Sequence, residues 1–184
     1  RFLGTWKDRM DMSVQNGWNI IGSISGPVGT GDVIPNNVTV ISQYFEYDGG
    51  YNPVQTLEPG QGYWVKVSGS GTLTLPYQYL ALYRANDDPR PLVDEFTLVD
   101  SLGFRQRLFI SNGGDRVEMP PDAPNGAGIS VRFTSGNFQE IVRPEDGRVA
   151  LPISLHRVRY PVTLRWRVNP ANGISYWIKN GNTP

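Results

Sequence analysis

Leu57-Glu58-Pro59-Gly60-Gln61-Gly62-Tyr63-Trp64-Val65-Lys66-Val67 sets a Gly- and Pro-rich turn directly ahead of an aromatic, β-branched strand. Pro59 fixes φ for the turn, and Gly60 and Gly62 admit positive φ or close backbone approach. From Tyr63 onward successive side chains leave opposite faces of a strand, so the Tyr63-Trp64 pair divides, with one ring for a core and the other for the opposite face. No helical pattern follows Gly62, which removes the arrangement in which glycine-rich backbone and a helix N-terminus cradle phosphate. Upstream, Gly17-Trp18-Asn19-Ile20-Ile21-Gly22 has the same character and is the expected partner strand.

The rest of the chain extends this pattern. Its 184 residues include 21 Gly and 15 Pro, which fall between apolar runs and so mark turns between many short strands. Charged residues make up 18%, against about 25% in an average soluble domain, and 39% are hydrophobic, a balance that argues for a folded β-protein and against disorder. The length suffices for one large core or two small ones without metal or disulfide staples. Formal net charge is zero, so no global field gathers nucleic acid, and no nucleic-acid partner is expected. The absence of Cys removes thiol catalysis, cysteine metal sites and disulfide scaffolds. No apolar run is long enough to span a membrane, and no signal-peptide core follows Arg1. Starting without Met, and ending in the turn-like Asn180-Gly181-Asn182-Thr183-Pro184, the chain reads as a processed or excised piece of a longer protein.

Strands are expected over 18–24, 38–47, 63–68 and 72–75, with turns at Asp48-Gly49-Gly50 and Ser68-Gly69-Ser70-Gly71. Residues 27–32 read as a loop, and only the stretch after them leaves room for a short helix. From about residue 79, strands are expected at 95–100, 106–111, 116–119, 129–134, 138–142, 149–153 and 174–179. The longest alternation, 156–168, puts Val158, Tyr160, Val162, Leu164, Trp166 and Val168 on a buried face. Arg157, Arg159, Thr163, Arg165 and Arg167 take the solvated face, and Pro161 marks an edge strand or a bulge. The expected fold is all-β, with two small antiparallel β-sandwich or barrel-like domains. Residues 1–77 form an aromatic-rich β-domain, and residues 78–184 a β-sandwich of immunoglobulin or fibronectin type, truncated at its C-terminus. Polar, Pro-rich 86–91 is the most linker-like segment.

The Gly17–Gly22 and 57–66 stretches together resemble a recurring module of large secreted proteins from Bacteroidetes-type bacteria. Asp100-Ser101-Leu102-Gly103-Phe104-Arg105-Gln106-Arg107-Leu108-Phe109-Ile110, Glu118-Met119-Pro120-Pro121-Asp122-Ala123-Pro124, Val131-Arg132-Phe133 and Tyr160-Pro161-Val162-Thr163-Leu164-Arg165-Trp166 extend the likeness. They resemble the β-region that precedes the C-terminal sorting domain in type IX secretion substrates. The resemblance implies an extracellular or cell-surface location and a non-catalytic β-module. It carries over no catalytic or ligand residue, because the matching motifs are turns and strands.

Candidate chemistry is sparse. His156 is the only histidine, so a Ser-His-Asp triad would have to pass through it, and no nucleophile-elbow pattern accompanies it. Its phase places it on the buried face, where a histidine satisfied by backbone is the plainer reading. Zinc needs more His or Cys ligands than the chain has. No catalytic residue, cofactor or metal centre is therefore expected, although Asp87 and Asp88, beside Asp94, Glu95 and Asp100, are candidates for an oxygen-rich Ca²⁺ site as well as for a solvated loop. Tyr44, Tyr47, Tyr51, Tyr63 and Trp64 crowd the first unit. Tyr47, Tyr51 and Tyr63 are the candidates for a platform on which sugar faces stack, against the alternative that the rings are core. Arg157, Arg159, Arg165 and Arg167 are candidates for contact with a polyanion or a partner's carboxylates, against a solvated face that guards a sheet edge. Asn37-Val38-Thr39 fits an N-glycosylation triplet, and Asp100-Ser101-Leu102 resembles an O-glycosylation signal.

The expected function is that of a non-catalytic extracellular structural module that spaces or presents parts of a secreted bacterial surface protein. Its partners are other domains of the parent protein or identical subunits, with polysaccharide as a further candidate. Two other readings stay open: a carbohydrate-binding module using exposed Tyr and Trp, and a subunit of an extracellular filament or layer assembled through β-strand contacts.

Overall fold

A computed structural model describes residues 5, 7–76, 93–123 and 128–179. Across these residues the protein is all-β. Its strands lie in several mostly antiparallel sheets, a β-sandwich-like arrangement, interrupted by short 3-10 turns at Thr30–Asp32, Pro144–Asp146 and Pro170–Asn172. No helix among the described residues is long and apolar enough to cross a membrane.

The Gly62–Ser68 strand organises the N-terminal half. It pairs antiparallel with Gly17–Gly22, setting Ile21 opposite Tyr63 and Ile20 opposite Trp64. On its other side it meets Tyr44–Tyr47 and Thr39–Val40. The alternation is realised in full, with Tyr63, Val65 and Val67 buried and Trp64 and Lys66 half-buried on the opposite face. Gly60 takes φ of 78° in the preceding turn, a conformation an L side chain rarely adopts. Arg9–Val14, Gly71–Pro76 and Ile34–Asn36 form a second sheet. Ile34–Asn36 occupies the stretch where the sequence leaves room for a helix. Arg9–Val14 escapes a sequence reading because Val14 alone in it is buried. Val14, Ile21, Val28, Leu57, Leu73 and Leu75 close with Tyr63, Val65 and Val67 into one core.

The C-terminal half is a five-stranded sheet in the order Val117–Glu118, Asn137–Ile141, Arg105–Ser111, Val93–Val99, Thr163–Arg167. A separate antiparallel pair, Ser130–Phe133 with Ile153–His156, accompanies it. One ladder departs from the expected antiparallel arrangement, since Arg105–Ser111 and Asn137–Ile141 run parallel. Three other expectations change. Of 149–153 only Ile153 is in a strand, and 174–179 forms none, with Ile174 and Tyr176 packing on the core from an irregular segment. The long 156–168 alternation breaks into Ile153–His156 and Thr163–Arg167, with Arg157 at φ of 56° and a cis Tyr160-Pro161 peptide between them.

The second core is shared between the halves. Phe96, Leu98, Leu108, Ile110, Val131, Phe133 and Phe138 enclose Phe45 and Tyr51 from the N-terminal half, and Trp18, Tyr47 and Trp64 pack against the same cluster. Phe45 stands edge-on to Trp18 at 6.1 Å and to Phe138 at 5.4 Å between ring centroids, the geometry aromatic quadrupoles favour. The segment on which the expected boundary between residues 77 and 78 falls, 77–92, lies outside the described residues, as do Asp87 and Asp88.

Candidate functional site

The aromatic platform expected of Tyr47, Tyr51 and Tyr63 does not form, because Tyr51 and Tyr63 are only 3% and 1% exposed. Tyr63 belongs to the N-terminal core, and its hydroxyl accepts the Glu58 N–H at 2.7 Å. The ring thereby fastens the turn that leads into its own strand. Tyr47 and Tyr51 sit opposite each other across the hairpin that Asp48-Gly49-Gly50 closes, their rings 5.0 Å apart. That hairpin is covered rather than solvated. The Ile129 N–H donates to the Gly49 carbonyl at 3.0 Å, the Tyr51 hydroxyl donates to the Pro121 carbonyl, and burial pushes the Tyr51 phenol up to about 12.

Beneath the hairpin lies Gln106, 1% exposed. Its side-chain oxygen accepts the Tyr51 N–H at 2.8 Å and its amide nitrogen donates to the Tyr51 carbonyl at 2.9 Å. One side chain thus supplies both bonds a neighbouring strand would supply. Gly50 permits the approach, since a Cβ there would sit 2.1 Å from the Arg105 carbonyl oxygen. On the other flank, the Trp18 indole donates to Glu118 at 3.2 Å and the Lys66 ammonium pairs with the same carboxylate. Hydrogen bonding to Lys66, the largest influence, holds the Glu118 carboxyl below its ordinary range. Trp18 and Trp64 are T-shaped neighbours at 6.4 Å, so these rings face the junction between the halves.

The buried carboxylates are each committed to the fold. Asp94 accepts from the Asn169 N–H at 2.6 Å and the Tyr176 hydroxyl at 2.5 Å. Burial first, then Asp94, raises the Tyr176 phenol far above its usual value. Asp100 accepts the Leu102 and Phe104 N–H groups at 2.9 and 3.0 Å, which folds its tight turn. Glu140 borders a cleft of about 330 Å³ and accepts from Arg116 at 3.0 Å, Asn137 at 2.8 Å and Ser135. His156, expected on a buried face, is exposed as the last residue of its strand, in a two-stranded sheet that among the described residues holds only Ser130–Phe133 beside it. Its Nε2 lies 2.7 Å from the Ser154 hydroxyl. Among the described residues no carboxylate hydrogen-bonds to that ring, and no group of three or more His, Cys, Asp or Glu converges.

The arginine row does not stay together. Arg157 and Arg159 line a cleft of about 450 Å³ with Asp100, Leu102, Phe104 and Val158, and Arg157 is partly neutralised by Asp122 at 3.4 Å. Asp122 also pairs with Arg132. Arg165 and Arg167 instead lie on the outer face of the five-stranded sheet, where they are joined by Arg105 and Arg107, which the sequence reading passed over. Register makes this explicit. Arg107 and Arg165 flank Thr97 from its two neighbouring strands, Arg167 lies opposite Glu95, and Arg105 lies opposite Val99. With strands about 4.8 Å apart, the Arg107 and Arg165 backbones are about 10 Å apart. Glu95 is the one carboxylate these three strands place on that face, and its side chain accepts from Thr97 at 3.1 Å. None of the four arginines forms an ion pair among the described residues. The signal was the Arg105-Gln106-Arg107 alternation, in the same phase as Arg165 and Arg167 across the ladder. No family model, curated protein or solved structure matches the chain.

Proposed function

We propose that the protein is a non-catalytic structural module of an extracellular or cell-surface bacterial protein, spacing or presenting the parts attached to it. The observation that carries this reading is the junction. Phe45, Tyr51 and Gln106 commit both halves to one interior, in which the Gln106 amide pairs with the Tyr51 backbone. A spacer transmits orientation only if its parts do not swivel, and a buried aromatic contact reinforced by a two-bond amide clamp resists swivelling. The commitment of Asp94, Asp100 and Glu140 to backbone and side-chain donors further supports a structural role, since a catalytic acid or base has to reach a substrate proton.

Location supplies the test. Intact cells of the source bacterium, probed with an antibody against this module and treated with external protease, should bind the antibody and lose the epitope. Signal that emerges only after lysis, with the epitope protected from external protease, overturns the proposal.

A further inference from the structure

We propose that the outer face of the C-terminal sheet binds linear acidic polysaccharide, specifically polyuronate, through Arg105, Arg107, Arg165 and Arg167. This goes beyond the spacer role and does not depend on it. The three strands Arg105–Ser111, Val93–Val99 and Thr163–Arg167 present four guanidinium groups on this face against the single carboxylate of Glu95, on a protein whose formal net charge is zero. The imbalance is therefore local to this sheet. Arg105, Arg165 and Arg167 are exposed. Arg107 is half-buried and steadied by a 3.3 Å bond to Asn52 and by its position 5.8 Å over the Phe109 ring.

The chemistry selects among polyanions. Guanidinium forks match carboxylates with two parallel hydrogen bonds, and Thr97 lies in register between Arg107 and Arg165, where a sugar hydroxyl can pair with it. The arginines lie two and two on the strands that flank Val93–Val99, an extended array that suits a chain repeating its carboxylate at every sugar. A protein partner would call for an apolar centre within a polar rim, and exposed aromatic rings on which bases stack would mark a single-stranded nucleic-acid site. The one aromatic residue the three strands place on this face, Phe109, is half-buried with Arg107 over its ring. Each exposed ion pair is weak alone, so affinity must come from several sugars engaging at once.

Native affinity electrophoresis in gels containing polygalacturonate, with dextran as the neutral control, tests this. Polygalacturonate should retard the protein, while dextran and free galacturonate should have no effect. The double variant R165E/R167E, and independently R105E on a different strand, should each weaken the interaction on the order of tenfold. R9E, remote from the face, should not. The proposal is overturned if polygalacturonate fails to retard the protein, if neither arginine variant changes mobility relative to R9E, or if polyglutamate or single-stranded DNA of equal charge density retards it as strongly.

Discussion

Gly62–Ser68 and Thr163–Arg167 start from the same kind of sequence, apolar and polar side chains alternating around a tryptophan, and end in different surroundings. The first strand has neighbours on both edges and a layer on each face. Tyr63, Val65 and Val67 enter one core while Trp64 packs against the other. Among the described residues the second is the edge of its sheet, bonded only to Val93–Val99. Its Leu164 reaches the core, but Trp166, on the same face, is 59% exposed. Alternation assigns a side chain to a face, and burial follows only where another layer covers that face.

The sharpest way to break the comparison is at the layer that covers Trp64. Phe45→Ala removes a fully buried ring wedged between Trp18 and Phe138. It should cost about 3–5 kcal/mol in urea unfolding, with probes in both halves shifting together. A loss below about 1 kcal/mol, or a shift confined to one half, would show that the two cores are independent. Gln106→Leu is next. It keeps the volume roughly constant but leaves the Tyr51 N–H and carbonyl without their buried partner, and should cost about 2 kcal/mol. Wild-type stability in that variant would mean that water replaces the clamp.

The roles of these two residues were not legible in the sequence. The Gly17–Gly22 and Gly62–Ser68 pairing was, because each turn, its β-branched residues and its alternation agree on one structure. The division of Tyr63 from Trp64 followed from strand geometry alone. What lay beyond reading depended on which surfaces meet. Tyr47 and Tyr51 flank a Gly-rich turn, the usual mark of exposure, yet the C-terminal half covers that turn. A polar Gln106 in a strand gives no local hint that its amide will serve as a backbone surrogate. The arginines at 105 and 107 joined those at 165 and 167 only through pairing across about 60 residues, a register no local period encodes.

Titration separates the covered region from the open one more gently. Tyr44 and Tyr51 are both raised by burial to about 12, whereas a tyrosine in an unfolded chain ionises near 10. The fold therefore holds these protons more tightly than the unfolded chain does. The stability they contribute is complete below pH 10 and is lost as pH rises from about 10 to 12. Phenolate absorbance should develop late and together with unfolding, and full ionisation of all tyrosines at pH 10.5 in a folded protein would contradict their burial. Glu118 behaves with the opposite sign. Its carboxyl is held low by Lys66 and then by the Trp18 indole, so its contribution is present above the ordinary carboxylate range and fades as pH falls through the lowered value. Because the pair is partly exposed, Glu118→Gln should cost only about 0.5–1 kcal/mol at neutral pH. It should also remove that portion of the acid dependence.

At the other end of the scale stands Trp166→Ala. In a covered strand the loss of a tryptophan costs about 3–5 kcal/mol, and a reading of the alternation alone would assign Trp166 that value, since it shares a face with Leu164. The structure places it opposite Phe96, on the edge strand of the sheet, where it is 59% exposed among the described residues. More than half exposed, it hides far less apolar area than a covered ring, and the substitution should cost about 1 kcal/mol or less. The same substitution at Trp64 should be plainly more costly, because that ring loses its contacts with Trp18 and with the shared core. If the two variants unfold at the same urea concentration, either the edge strand is covered in solution by something the isolated fold lacks, or the junction around Trp64 is looser than its packing implies. Sedimentation of the Trp166 variant beside the wild type distinguishes these, since a covering second copy would dissociate when its tryptophan contact is removed.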